Sequence, residues 1–142
     1  MVNIVVVSHA DLGDALIRAT EMIAGPTEGL YSVSLLPDDS PEGFRERLEA
    51  VLQEIEGQET LVLVDLFGGT PYNAAACQVL KENIECVTGV NLPMLLELAT
   101  SRDGASLSEL AEDIARAGRE SVRNLGPMLT EQQVRKRLNE RR

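Results

Sequence analysis

The sequence predicts a single α/β domain with a mainly parallel sheet of four strands and helices on both faces. Apolar, β-rich runs alternate along the chain with segments of helical period. The first and third runs show no polar alternation, which is typical of strands that are buried on both faces. Strands and helices in this order give parallel strands joined by helical crossovers. The 142 residues contain no internal repeat or linker, so one three-layer domain is expected.

The helices are predicted from their period and their terminal residues. Asp11 is placed to cap a first helix, and Ser40 with Pro41 provides an N-cap and a first-turn proline for a second. An alanine-rich helix is expected over residues 72–81, a further helix from Met94, and a last long helix from the capping box that begins at Ser106. The strands are predicted at residues 3–9, 30–36, 60–66 and 84–88. The apolar face of the first helix comprises Leu12, Ala15, Leu16, Ala19, Met22 and Ile23.

Composition restricts the class of protein. The net charge of -10 argues against nucleic acid as the main partner. No window is apolar over the length that spans a membrane, and no charged segment precedes the first apolar run, so a cytoplasmic protein is expected. Cys77 and Cys86 are too few and too poorly spaced for a disulfide framework or a zinc site. They are expected to be small buried residues.

The charge is unevenly distributed along the chain. From residue 130 onwards five basic side chains oppose two acidic ones, a net of +3 that leaves -13 for the preceding residues. We predict a domain over residues 1–126 and a basic tail over residues 127–142, either helical or frayed. Such a tail is suited to a neighbouring subunit, another protein or an anionic surface. The basic residues are Arg135, Lys136, Arg137, Arg141 and Arg142.

Two chemically interesting side chains lie at strand ends, where the carboxyl edge of an open α/β sheet collects functional residues. His9, the only histidine, ends the first strand, and Asp65 ends the third. If these strands are neighbours, Asp65 can accept from one ring nitrogen of His9 and leave the other free as a nucleophile. On its position alone, His9 is more often a hydrogen-bonded, partly buried histidine, or one exposed at a turn, without a chemical role.

The turn after Asp65 is suited to an anion. Gly68 and Gly69 allow the backbone to approach a ligand closely, and Thr70 and Pro71 provide an N-cap and a first helical residue. Backbone N–H groups at such a helix start favour phosphoryl oxygens. The lysine and spacing of a Walker loop are absent, and so is the dinucleotide fingerprint. A turn that uses glycine only for its geometry is the alternative.

These motifs together resemble the IIA component of the mannose family of the bacterial phosphoenolpyruvate-dependent sugar phosphotransferase system. The resemblance covers about residues 4–122 and rests on the Ser8–His9 strand end, residues 64–74 and residues 89–95. It implies a phosphotransferase component that works through phosphohistidine at His9, supported by Asp65, with no cofactor or metal. It also implies that Gly68, Gly69 and Thr70 hold the phosphoryl oxygens. The remaining residues expected to line the site are Ser8, Phe67, Asn91, Pro93 and Met94.

The resemblance also implies partners. The donor would be the histidine-containing phosphocarrier protein and the acceptor a separate IIB protein, with indirect association with membrane IIC and IID components. Family members are homodimers, often with an exchanged C-terminal strand. Residues 121–125 would supply that strand, although they are equally compatible with a helix end. Two departures, Ala10 where glycine is common and Thr70 where serine is frequent, are compatible with the chemistry.

Three other functions stay open. A related domain that serves a dihydroxyacetone kinase shares the histidine chemistry but has a different acceptor protein. A regulatory phosphoprotein would use the state of His9 to control binding to a target, without a role in transport. A plain ligand-binding α/β module would use no covalent chemistry. The sugar itself is not predicted, since the resemblance assigns specificity to the membrane components.

Overall fold

The apolar runs of the chain form strands, and the segments that follow them form helices. The computed structural model describes residues 1–140. The strands are β1 (Asn3–His9), β2 (Leu30–Leu35), β3 (Thr60–Val64) and β4 (Ile84–Thr88). The helices are α1 (Leu12–Ala24), α2 (Pro41–Glu54), α3 (Thr70–Ala76), α4 (Leu92–Ser101), α5 (Leu107–Glu120) and α6 (Leu125–Glu140).

All neighbouring strands are parallel, and their order in the sheet is β2-β1-β3-β4. The central strands are the most buried: every residue of β3 and all of β1 except His9 are buried. Burial on both faces explains why these two strands have no polar alternation. The edge strands β2 and β4 are mostly half-buried. The predicted α/β fold with a four-stranded parallel sheet is confirmed.

Two apolar cores cover the two faces of the sheet. Successive residues of a strand point to opposite faces, so each central strand contributes to both cores. Leu61 and Leu63 face α1, α4 and α5, whereas Val62 and Val64 face α2 and α3. The chain therefore forms three layers, and the loops at the carboxyl ends of the strands share one edge.

The buried positions of α1 do not coincide with its predicted apolar face. Met22 and Ile23, which belong to that apolar face, are 90% and 62% exposed. The buried positions of α1 are Gly13 and Thr20. The hydroxyl of Thr20 donates to the carbonyl of Leu16 (2.7 Å), which allows a polar residue to be buried without an unpaired group.

Two helix starts agree with the prediction, and two segment ends do not. The side chain of Ser40 accepts from the N–H of Gly43 (3.0 Å), and that of Ser106 accepts from the N–H of Glu109 (3.2 Å). The alanine-rich helix is shorter than predicted, because α3 ends at Ala76 and turns follow it. The strand β3 ends one residue before Asp65, which therefore belongs to the turn.

The C-terminal segment forms a helix that makes little contact with the domain. Residues 121–124 connect α5 to α6 and form no strand in this single chain, so an exchanged strand stays a prediction. No residue of α6 is buried. The boundary between a domain at residues 1–126 and a tail at residues 127–142 also stays a prediction, and residues 141 and 142 lie outside the described residues.

The two cysteines differ in environment. Cys77, just after α3, is exposed, so the expectation of a buried residue was wrong. Cys86 lies on β4 and is partly buried. Burial, together with the negative charge of Glu85, raises the pKa of the Cys86 thiol to about 11.

We expect iodoacetamide at about pH 8 to modify Cys77 and to spare Cys86 in the folded protein. At about three pH units below its pKa, roughly one Cys86 side chain in a thousand is the reactive thiolate. Intact mass should show one adduct for the folded protein and two in urea. Equal modification of both cysteines in the folded protein would contradict this environment for Cys86.

Candidate active site

His9 and Asp65 lie side by side because β1 and β3 are neighbours, with Val7 paired to Val64. One carboxylate oxygen of Asp65, Oδ2, accepts from the backbone N–H of His9 (2.9 Å) and lies 2.8 Å from Nδ1 of the ring. The other oxygen accepts from the N–H of Leu66 (2.9 Å). An ionised carboxylate can only accept, so the ring proton is assigned to Nδ1, and Nε2 keeps a free lone pair.

The two side chains differ in their exposure to solvent. The Asp65 side chain is 7% exposed and the His9 side chain 47%. The hydrogen bonds that Asp65 accepts offset the cost of burying its carboxylate. The arrangement is an oriented imidazole whose second nitrogen a reactant can reach.

The turn of Gly68 and Gly69 passes beside the ring of His9. The φ angles of these glycines are 99° and 92°, a conformation that favours glycine. A Cβ added at Gly69 would lie 3.7 Å from Cε1 and 3.8 Å from Nε2 of His9. The backbone of Gly69 therefore lies next to the nitrogen that keeps the lone pair.

The start of α3 is shifted by one residue from the prediction. Gly69 takes the N-cap position and Thr70 is the first helical residue, because the positive φ of Gly69 makes the chain reversal at that point. Among the described residues, the backbone N–H groups of Gly68, Gly69 and Thr70 donate to no protein acceptor. They are available to an anion.

Ser8 supports the strand end from within the protein. Its side chain is fully buried, and its hydroxyl accepts from the N–H of Gly13 (2.9 Å). Ser8 thus caps the start of α1, whereas the side chain of Asp11 makes no capping hydrogen bond, contrary to the prediction. This hydrogen bond links the end of β1 to the first turn of α1, and its two residues lie on either side of His9 in the sequence. A direct role for Ser8 in lining the site stays a prediction.

The motif that follows β4 makes its contacts mainly with α5. Asn91 accepts from the N–H of Met94 (3.1 Å) and donates to the carbonyl of Gly118 and the hydroxyl of Ser121 (3.3 Å each). Met94 is buried in the core on that face of the sheet, and Pro93 is exposed. Asn91 and Met94 therefore brace α4 against α5. Their predicted role in lining the site stays a prediction.

An ion pair that the sequence did not predict fixes the loop between β2 and α2. Asp39 accepts from the N–H of Leu36 and from Arg47, at 2.7 Å each. These donors, Leu36 first, lower the pKa of the Asp39 carboxyl. Leu35 pairs with His9 across the sheet, so the loop that follows Leu35 lies at the same edge of the sheet as His9. Asp39 and Arg47 are eight residues apart, and this spacing matches no helical or strand period. The sequence pattern therefore does not predict the ion pair.

Exposed apolar side chains surround this edge of the sheet. They belong to Leu12, Leu36, Leu66 and Phe67, which lie just after the ends of β1, β2 and β3. The ring of Phe67 packs against Tyr72 with centroids 4.7 Å apart. Apolar groups exposed together beside an accessible histidine are typical of a protein-binding surface.

Within residues 1–140, no three or more His, Cys, Asp or Glu side chains are arranged to hold a metal ion. In the same range no helix combines the length and apolar character needed to cross a bilayer. A cavity of about 570 Å³ lies between the end of α2 and the starts of β3 and β4, at the sheet edge opposite His9.

Comparison with known proteins adds a family. The family model EIIA-man, described as the PTS system fructose IIA component, matches residues 3–115. The chain is 33% identical over 123 residues to the PTS system fructose-specific EIIA component of Bacillus subtilis (strain 168), covering 85% of this chain and 84% of that protein. It is 32% identical over 129 residues to the sorbose-specific EIIA component of Lacticaseibacillus casei, covering 90% and 94%.

Solved structures agree with this match. The mannose/sorbose specific IIA subunit from Enterococcus faecalis superposes with a TM-score of 0.82 at 31% identity, covering 87% of this chain and 93% of that chain. The fold and the matches define a component of a sugar phosphotransferase system, which is a transferase class. The chain belongs to the EIIA-man family, and the resemblance to mannose-type IIA components is confirmed. This family generally implies interaction with the histidine-containing phosphocarrier protein and with IIB components.

Replacing Gly69 by alanine should disturb the ring of His9. The new Cβ would contact the ring, and the residue would have to keep a φ of 92°. Gly104→Ala is the matched control, because Gly104 has a φ of 94° and open space around it. Each variant should lose about 1–2 kcal/mol of unfolding free energy through backbone strain. Urea unfolding measures that loss.

Only Gly69→Ala should shift the ring resonances of the single histidine in an NMR spectrum. If the His9 resonances are the same in Gly69→Ala, Gly104→Ala and wild type, Gly69 does not lie beside the ring.

Proposed function

We propose that this protein is a phosphocarrier, which accepts a phosphoryl group on Nε2 of His9 and passes it to a IIB component on a separate chain. The donor is the histidine-containing phosphocarrier protein. The observation that carries the proposal is the Asp65 carboxylate at Nδ1, which leaves Nε2 free beside the glycine turn. Membership of the EIIA-man family supports the transferase class.

The transfer step starts from the neutral ring of His9. The lone pair on Nε2 forms the new N–P bond while the bond between phosphorus and the donor's ring nitrogen breaks, and that nitrogen keeps the electron pair. The ring of His9 gains positive charge while Nδ1 keeps its proton. The Asp65 carboxylate, 2.8 Å from Nδ1, stabilises that charge. Transfer to IIB returns the electron pair to Nε2.

Donors for the phosphoryl oxygens come from the turn before α3. We assign this role to the backbone N–H groups of Gly68, Gly69 and Thr70 and to the hydroxyl of Thr70. Donors that are already in place need no rearrangement during transfer. Glycine at two of these positions lets the backbone approach the phosphoryl group without an intervening side chain.

The exposed apolar edge is the proposed docking surface for both partners. Leu12, Leu36, Leu66 and Phe67 supply the apolar and aromatic groups that are common at the centres of protein interfaces. Donor and acceptor must each reach the same nitrogen of His9, so they would bind one at a time. A cytoplasmic location, a homodimer that exchanges residues 121–125, and indirect association with IIC and IID belong to the same proposal.

Transfer from ³²P-labelled phosphocarrier protein tests the chemistry. Wild type should gain one acid-labile phosphate, and His9→Gln should gain none, because the chain has no other histidine. Asp65→Asn should slow transfer by about 10²-fold, since it removes the charge that stabilises the phosphorylated ring. Asp113→Asn, which removes an exposed carboxylate on α5, is the matched control and should transfer at the wild-type rate.

Two results would refute parts of this assignment. Label in His9→Gln at the wild-type level would place the phosphoryl group elsewhere, and a wild-type rate for Asp65→Asn would remove Asp65 from the mechanism.

Mixing the labelled protein with IIB proteins then tests the acceptor. Discharge to a IIB protein supports the carrier role, whereas retention with every IIB protein favours a regulatory role, and discharge to a kinase favours the dihydroxyacetone alternative.

A further inference from the structure

A cavity of about 210 Å³ lies between the first turns of α2 and α3, which are neighbours on one face of the sheet. Thr70 belongs both to this cavity and to the proposed phosphoryl turn. The preceding residue, Gly69, lies beside the ring of His9, since a Cβ added there would be 3.8 Å from Nε2. The cavity is therefore next to the place where a phosphoryl group on Nε2 would lie.

Among the described residues, Arg45 is the one basic side chain that lines this cavity. It is exposed, and within residues 1–140 its guanidinium forms no ion pair, whereas Arg47 is held by Asp39. Glu42, three residues earlier on α2, provides the only carboxylate that residues 1–140 contribute to the lining. The cavity thus contains one free cation and one opposing anion.

Phosphorylation would change the charge at this edge. A phosphoryl group adds about two negative charges, and here it would lie beside the Asp65 carboxylate in a protein whose net charge is already -10. The backbone donors of the turn are neutral. A guanidinium is well suited to bind phosphoryl oxygens because it offers paired N–H donors with a full positive charge. Arg45 and Thr70 line the same cavity.

We propose that Arg45 is an additional anion-binding residue of the phosphorylated state, in which its guanidinium binds phosphoryl oxygens that the Gly68–Thr70 turn leaves free. This inference rests on the proposed phosphorylation of His9. The carboxylate of Glu42 lies in the same cavity and repels the phosphoryl group, so Glu42 destabilises the phosphorylated state. The two residues together set the stability of the phosphorylated form relative to the phosphorylated donor.

Substitutions of opposite sign test this role. Arg45→Gln should lower the equilibrium constant for transfer from the phosphocarrier protein by about three- to fivefold, and Glu42→Gln should raise it by a similar factor. Arg18→Gln, which removes an exposed charge from α1 on the other face of the sheet, should leave it unchanged. Both effects should weaken in high salt, because the groups are exposed.

A ³¹P NMR titration of the phosphorylated protein gives a readout that a purely structural role would not change. The guanidinium should lower the pKa of the phosphoryl group, so Arg45→Gln should raise this pKa and Glu42→Gln should lower it. Arg18→Gln should leave the titration unchanged.

The outcomes separate this inference from the proposed function. Wild-type equilibrium and titration in Arg45→Gln would overturn the role of Arg45 and leave the phosphorylation of His9 standing. Shifts of the same sign in Arg45→Gln and Glu42→Gln would also overturn it, since they would reflect disturbance of α2 rather than charge. A wild-type protein that accepts no phosphate would refute the proposed function, and this inference with it.

Discussion

The hydrogen bond between Asp65 and Nδ1 of His9 is the interaction on which the candidate site depends. It decides which ring nitrogen carries the proton, and therefore which one can act as a nucleophile. The bond exists because β1 and β3 are adjacent, so that His9, the last residue of β1, and Asp65, just after β3, meet at one edge. The carboxylate is buried and the imidazole half-exposed, which fixes the orientation of the ring without blocking its second nitrogen.

The surrounding residues hold this pair in place. Ser8 joins the end of β1 to α1 through Gly13, and the positive φ of Gly69 brings the backbone of the turn to the free edge of the ring. A Cβ added at Gly13 or at Gly69 would contact neighbouring atoms. The site is thus built largely from backbone and strand ends, and the apolar loops around it remain free to contact other proteins.

Features that repeat along the sequence could be predicted, and those that depend on a single contact could not. The buried strands β1 and β3 follow from uninterrupted apolar runs, and the meeting of His9 with Asp65 follows from parallel strands ending at one edge. The burial of Thr20 could not be predicted, because its hydroxyl is satisfied by a bond within the helix. The cap from Ser8 likewise depends on a tertiary contact that no local pattern encodes.

The ring tautomer of His9 is the most direct test of this arrangement, and the chain has a single histidine, so its signals need no separation from others. Long-range ¹H–¹⁵N correlation spectra of the neutral ring distinguish the two nitrogens. Because Nδ1–H of the ring donates to the Asp65 carboxylate, we expect a protonated Nδ1 and an unprotonated Nε2 in wild type. A neutral ring protonated at Nε2 would contradict the proposal that this nitrogen accepts the phosphoryl group.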